Sequence, residues 1–196
     1  MMNNVNNTVI DILGDTVIKK SKSVILDTNF LLNWLQVPGT EEIPDDKYAE
    51  VLKVLIYRQI PILVSSHVYS EYLNRYLRGY YHDQFSYFNP HHDTAGDHYK
   101  RYFRNSNQYL QIASLAVRYL ANFFEDQGLD VSYVEGESST VSDAVKLVTE
   151  KNLDFTDAVL ILIAQNKSAA ILTDDTDIQK VMLTRPITVY TTIPTR

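Results

Sequence analysis

The stretch Leu153–Ile178, LDFTDAVLILIAQNKSAAILTDDTDI, carries acids at both ends of a helix-then-strand pattern. Asp154 and Asp157 open an apolar run, Ala158 to Ala164, whose length suits a buried amphipathic helix. Ala169 to Leu172 then reads as a short buried strand. It runs directly into Thr173, Asp174, Asp175, Thr176 and Asp177, so up to three carboxylates sit where a parallel strand would end and a helix begin. Open α/β sheets place their ligands there. Asp27 follows the buried run Ser23–Leu26, Glu71 lies early in the helix after Ile62–Val64, and Asp157 opens a helix, so four acids, with Asp175, occupy equivalent places. Carboxylates gathered in this way would repel by up to roughly 4 kcal/mol per pair at 4 Å in an effective dielectric of 20, and need a cation or protons. Hard oxygen ligands select Mg²⁺ or Mn²⁺, ions that can activate a water and hold phosphate oxygens. That is phosphodiesterase chemistry.

The elements that must position these acids can be read along the rest of the chain. Residues 1–22 are Asn-rich, end in Lys19, Lys20 and Lys22, and fit either a helix or a hairpin at Gly14-Asp15. Phe30–Leu35 predicts a helix capped by Asp27, Thr28 or Asn29, and Lys47–Gln59 has the spacing of one helical face. Ser65 or Ser66 caps the next helix, which ends near Gly79 and pairs Glu71 with Arg75 at i, i+4. Gly79 to His98 shows no period and reads as a loop or short helical insertion. Tyr99–Asp126 predicts one long helix closed by Gly128, and Val141–Thr149 another, capped from Ser138, Ser139 or Thr140. Ile178–Leu183 reads as a short helix and Ile187–Tyr190 as a last strand. Buried strands alternating with helices predict an α/β fold: a three-layer α/β/α sandwich with a central parallel sheet and a helical insertion.

Length and composition bound the answer. A chain of 196 residues is one domain on a prior of roughly 150 residues each. It divides into an N-terminal extension over 1–22 and a domain over 23–196, with the insertion at about 79–140. With no Cys, a disulfide framework and thiolate chemistry are excluded. The net charge of -6 argues against a large nucleic-acid-gripping surface, though not against a local basic track. The first residues have no basic region ahead of an apolar one, and Asp11 and Asp15 interrupt them. The expectation is a cytoplasmic protein without a signal peptide, membrane span or membrane partner.

LDTNFLL at 26–32, SSHVYSEYLNR at 65–75, DFTDAVLILIA at 154–164 and ILTDDTDI at 171–178 together resemble the PIN domain, a family of metal-dependent ribonucleases that includes bacterial toxins. The last pair is the most specific, because D-A-x-x-x-x-x-A and T-x-D-x-D keep their spacing without a gap. The resemblance implies that Asp27, Glu71, Asp157 and Asp175 match the family's acidic quartet, with Asn29, Thr173 and Asp177 in support. It implies Mg²⁺ or Mn²⁺ as cofactor and a PIN-like nuclease domain larger than the small toxins. It leaves room for an antitoxin or other protein partner and for a homodimer. The expected function is cleavage of single-stranded RNA, as an endoribonuclease, by a metal-activated water.

Each residue also has a plainer role. Asp27 alone would be a helix cap, Glu71 the partner of Arg75, and Asp154 a better cap than Asp157. Ser142-Asp143-Ala144 imitates Thr156-Asp157-Ala158 but lacks a following strand with terminal acids. His82, His91, His92 and His98, with Asp83, Asp93 and Asp97, lack the i, i+4 histidine spacing of a helical metal site and read as solvated loop residues. Between Arg75 and Arg104, five basic residues (Arg75, Arg78, Lys100, Arg101, Arg104) outnumber three acids, giving +2. Aromatic residues are interleaved with them, a composition suited to binding substrate, with unpaired bases stacked while those five cations touch phosphates, or else to core packing. Two rival functions keep the same residues: a non-catalytic RNA-binding or scaffold module, and a phosphatase using Asp27 as nucleophile.

Overall fold

The computed structural model describes residues 4–14, 23–40, 45–85, 95–136 and 140–193. Its order is β1 (Val5–Asn6), β2 (Thr8–Asp11), β3 (Val24–Leu26), α1 (Thr28–Trp34), α2 (Asp46–Arg58), β4 (Ile62–Ser65) and α3 (Ser66–Tyr80). Then come α4 (Ala95–His98), α5 (Asn107–Asp126), β5 (Val131–Val134), α6 (Thr140–Lys151), α7 (Phe155–Lys167), β6 (Ala170–Leu172), α8 (Thr176–Lys180), β7 (Met182–Leu183) and β8 (Thr188–Thr191). Two π-helical turns, Tyr81–Phe85 and Tyr99–Phe103, flank α4.

The apolar runs β3 and β6 are wholly buried and β4 nearly so, as strands covered on both faces must be. They lie in a six-stranded sheet of order β2-β8-β6-β3-β4-β5, parallel at every pairing. Helices flank it: α1 packs on α2 and α3, α3 on α5, and α6 on α7. From β3 the chain moves to β4 and β5 on one side, then returns to β6 on the other. The order therefore reverses between β3 and β6, the switch point at which open sheets leave a crevice.

Side-chain caps begin most of these helices. Asp27, Asp45, Ser65, Ser106, Asp154 and Asp175 each accept a backbone N–H at the start of α1, α2, α3, α5, α7 and α8. Phe30 fixes α1 on the sheet: it is fully buried and meets Tyr48 edge-on at 4.9 Å. Its burial contributes about 2–3 kcal/mol.

Several local expectations change. Instead of a helix or a hairpin at Gly14-Asp15, the N-terminal segment supplies β1, antiparallel to β7, and β2, an edge strand parallel to β8. The single helix expected over Tyr99–Asp126 is broken. Asn105 Nδ2 donates to the Lys100 and Arg101 carbonyls, and Ser106 turns the chain by accepting from Tyr109 N–H. The helix expected over Ile178–Leu183 starts earlier, at Thr176, and gives way to β7. β5 was not foreseen. The insertion's aromatics build a satellite core of Tyr81, Tyr99 and Phe103, against which Tyr80, Phe85 and Tyr109 pack, rather than an open stacking surface. Tyr87 and Phe88 lie outside the described residues.

Candidate active site

β3 ends at Leu26, and the next residue, Asp27, is 8% exposed. Its Oδ1 accepts from Thr28 N at 2.6 Å, and its Oδ2 from Asn29 Nδ2 at 2.9 Å and Thr173 Oγ1 at 2.5 Å. Thr173, fully buried at the end of β6, accepts in turn from Asp175 N at 2.9 Å. The ends of the two strands at the switch point are thus tied through one hydroxyl. Asp175 caps α8, taking the N–H groups of Asp177 at 2.6 Å and Ile178 at 3.2 Å. Asp177 is exposed in the first turn of that helix.

Glu71 reaches the same end of the sheet from α3. Its Oε2 accepts from Thr28 Oγ1 at 3.0 Å, and its Oε1 from Arg75 Nε at 3.1 Å and Nη2 at 2.9 Å. Asp157 lies in the first turn of α7, where Asp154 Oδ1 caps its N–H at 2.8 Å. His67 and Phe155 rings, 5.9 Å apart, bring the starts of α3 and α7 together. The plain and sharp readings of these acids therefore coexist: Asp27 and Asp175 are caps, and Glu71 is Arg75's partner.

Electrostatics link the acids further. Burial, with smaller contributions from the Asp175 and Glu71 charges, outweighs the Thr173 and Thr28 hydrogen bonds and pushes the Asp27 carboxyl up to about 6. Burial also lifts Asp157 to about 8, reinforced by Asp154, Asp175, Asp27 and Asp177. The charge of Asp175 thus acts on both Asp27 and Asp157, that of Asp27 on Asp157, and that of Glu71 on Asp27. Asn29 Oδ1, beside Asp27, is a buried acceptor without a hydrogen bond. No group of three or more His, Asp or Glu side chains among the described residues is gathered tightly enough to hold a metal ion as it stands. In kind, however, the set fits a hard cation: carboxylates that resist ionising together, and an orphaned amide oxygen on the side chain that bonds Asp27.

The imitation motif lies elsewhere, with Asp143 in an exposed pair with Lys146 at 3.1 Å on α6. His98 departs from its expected solvated state: it is 2% exposed, with Nδ1 2.9 Å from the Tyr81 hydroxyl. His91, His92 and Asp93 lie outside the described residues. Arg75 and Arg78 project from α3 into a groove of about 1080 Å³, whereas Lys100, Arg101 and Arg104 stand exposed at the second π-helical turn. Thr28 was missed as a site residue. Its position in D-T-N was the available signal, since it joins the Asp27 and Glu71 networks.

Among known sequences, the model of the family described as PIN domain matches residues 24–182. No curated protein matches. A solved toxin-antitoxin complex from Klebsiella pneumoniae is similar over 79% of this chain and 88% of that chain, at 14% identity and a TM-score of 0.41.

Proposed function

The chain belongs to the PIN domain family, and from that premise we propose that it is a Mg²⁺- or Mn²⁺-dependent endoribonuclease acting on single-stranded RNA. The observation that carries this reading is that Thr173 ties Asp27 to the backbone of Asp175 at the switch point and Thr28 links Glu71 to them, with Asp27 and Asp157 both held well above the ordinary carboxylate range. Asp27, Glu71, Asp157 and Asp175 would hold the ion, directly or through water. When bound, a divalent ion supplies an activated water and charge neutralisation at a phosphodiester.

The chain's own residues supply the positioning. Thr173 and Asn29 clamp Asp27 Oδ2, and Thr28 fixes Glu71 Oε2, so two side chains from different elements are held in place before substrate arrives. Asp177, exposed in the first turn of α8, would support the outer rim of the cluster.

The rival readings fit less well. A phosphatase using Asp27 as nucleophile would be expected to carry a second acid two residues on, where this chain has Asn29. A scaffold needs only the caps. Capping does not require a buried Thr173 bridge, an orphaned Asn29 oxygen or an Asp157 pushed up to about 8. The test is incubation of purified protein with labelled single-stranded RNA and DNA in Mn²⁺, Mg²⁺ or EDTA, beside Asp27→Asn. RNA should be cut only with metal and only by the wild type. Cleavage that survives EDTA or Asp27→Asn would overturn the proposal.

A further inference from the structure

Two helical faces lead away from the acids. Asn29 and Asn33 lie one turn apart on α1, and Gln36 follows in the chain beyond its extended Leu35 cap; on α3, Glu71, Arg75 and Arg78 recur at i, i+4 and i+7. Both series start in the acid cluster, and their outer members line the groove of about 1080 Å³, with Lys47 of α2 on its rim. One wall is therefore carboxamide and the other cationic. The distance along α3 from Glu71 to Arg78 is about 10 Å.

Arg78 and Lys47 are open to an anionic ligand, whereas Arg75 is already paired with Glu71 Oε1 at 2.9 Å. Arg78 is exposed and has no carboxylate partner among the described residues; its guanidinium lies 5.3 Å from the Tyr99 ring centre. Lys47 shares a 3.4 Å pair with Asp45, a contact of the kind worth little at a surface. Of the two carboxylates that line the groove among the described residues, Asp45 is engaged by Lys47 and Asp83 by Gln84. Asn33 Nδ2 donates to the Asn29 carbonyl at 2.7 Å, which steadies the amide and leaves its oxygen as an acceptor.

We propose that this groove binds the stretch of single-stranded RNA adjoining the cleaved phosphate, with phosphates at Arg78 and Lys47 and base edges toward Asn33 and Gln36. Guanidinium and ammonium groups bind phosphates without regard to sequence, whereas carboxamides discriminate donor and acceptor patterns on bases. The inference rests on the nuclease reading and adds the path of the strand. It also moves that path away from Arg101 and Arg104.

Fluorescence anisotropy of dye-labelled single-stranded RNA in EDTA, at several salt concentrations, tests it without any cleavage. Lys47→Ala/Arg78→Ala should weaken binding about tenfold and reduce the slope of log affinity against log salt by about 1.4, two phosphate contacts at roughly 0.7 each. Asn33→Ala/Gln36→Ala should keep the slope but level the preference among poly-U, poly-C and poly-A. Arg101→Ala/Arg104→Ala should keep both. An unchanged slope in Lys47→Ala/Arg78→Ala, with an unchanged melting curve, overturns the groove. So does a loss confined to Arg101→Ala/Arg104→Ala. Failure of the wild type to bind RNA overturns it too, and metal-dependent cutting by the same preparation would then show that the nuclease reading survives alone.

Discussion

Asp174 and Asp175 are adjacent acids with opposite surroundings. Successive side chains leave an extended chain on opposite sides, so only one was expected to face the cluster. Asp175 does, through its effect on Asp27 and Asp157. Asp174 neither caps α8 nor simply meets solvent: it accepts from Thr191 Oγ1 (2.7 Å), Thr192 N (2.7 Å), Thr192 Oγ1 (2.6 Å) and Tyr48 OH (2.8 Å). Burial pushes its carboxyl up, but these hydrogen bonds together hold it below the ordinary range. Its stabilising effect is therefore present above that range and lost as pH falls through the lowered value. An amide would set an NH₂ against donors, so Asp174→Asn should lower stability by about 2–3 kcal/mol yet leave most activity. Asp175→Asn keeps a good cap but removes a charge, and should abolish metal-dependent cleavage while the protein stays folded. Paired melts and kinetics at saturating Mn²⁺ check this, and the reverse result would put the register wrong by one residue. The alternation was legible in sequence. The partners were not, because Tyr48 lies 126 positions away.

Elements set the shape of the groove. α3 passes so close to the turn after α1 that a Cβ on Gly79 would lie 2.3 Å from the Pro38 carbonyl oxygen and 2.7 Å from Val37 Cγ1. Gly79 is a helical residue that Ala would ordinarily improve by about 1 kcal/mol. Here backbone must shift, and Gly79→Ala should instead destabilise by about 1–3 kcal/mol and weaken RNA binding by displacing the groove wall. Gly96, with nothing within 4 Å of its added Cβ, is the control: Gly96→Ala should be neutral or mildly stabilising in urea unfolding. In the sequence, Gly79 showed only as a helix end. The buried strands β3, β4 and β6 were legible because each is an apolar run ending at a cap or an acid. β5 was not: its four residues are half-buried or exposed at an edge, without a strong period. The break before α5 was hidden for a different reason, since Asn105 and Ser106 interrupt an otherwise helical pattern by side-chain hydrogen bonds.

At the scale of the molecule, the raised Asp27 and Asp157 carboxyls link folding to protons, and the proposed ion would link it to metal. The resemblance put four dispersed acids together before any geometry was known, but sequence could not say how far burial would oppose their charge. Asp27 is pushed up to about 6 and Asp157 to about 8, both above the ordinary carboxylate value of about 4 that the unfolded chain shows. The folded protein therefore binds protons at these sites more tightly than the unfolded one does. Between about pH 4 and pH 8 the metal-free fold should lose stability as pH rises, the reverse of the usual salt-bridged carboxylate. A divalent ion binding the folded state takes over the protons' work, so Mn²⁺ should raise the melting temperature more at pH 8 than at pH 5. Asp157→Asn, which removes the most strongly shifted group, should flatten the metal-free slope and reduce the Mn²⁺ effect together. Thermal melts in EDTA and in excess Mn²⁺ at pH 5, 6.5 and 8 read all three. If the wild type in EDTA becomes steadily more stable from pH 5 to pH 8, and Mn²⁺ shifts it no further than it shifts Asp157→Asn, then the carboxylates are not held in mutual repulsion and the cluster is a set of independent caps.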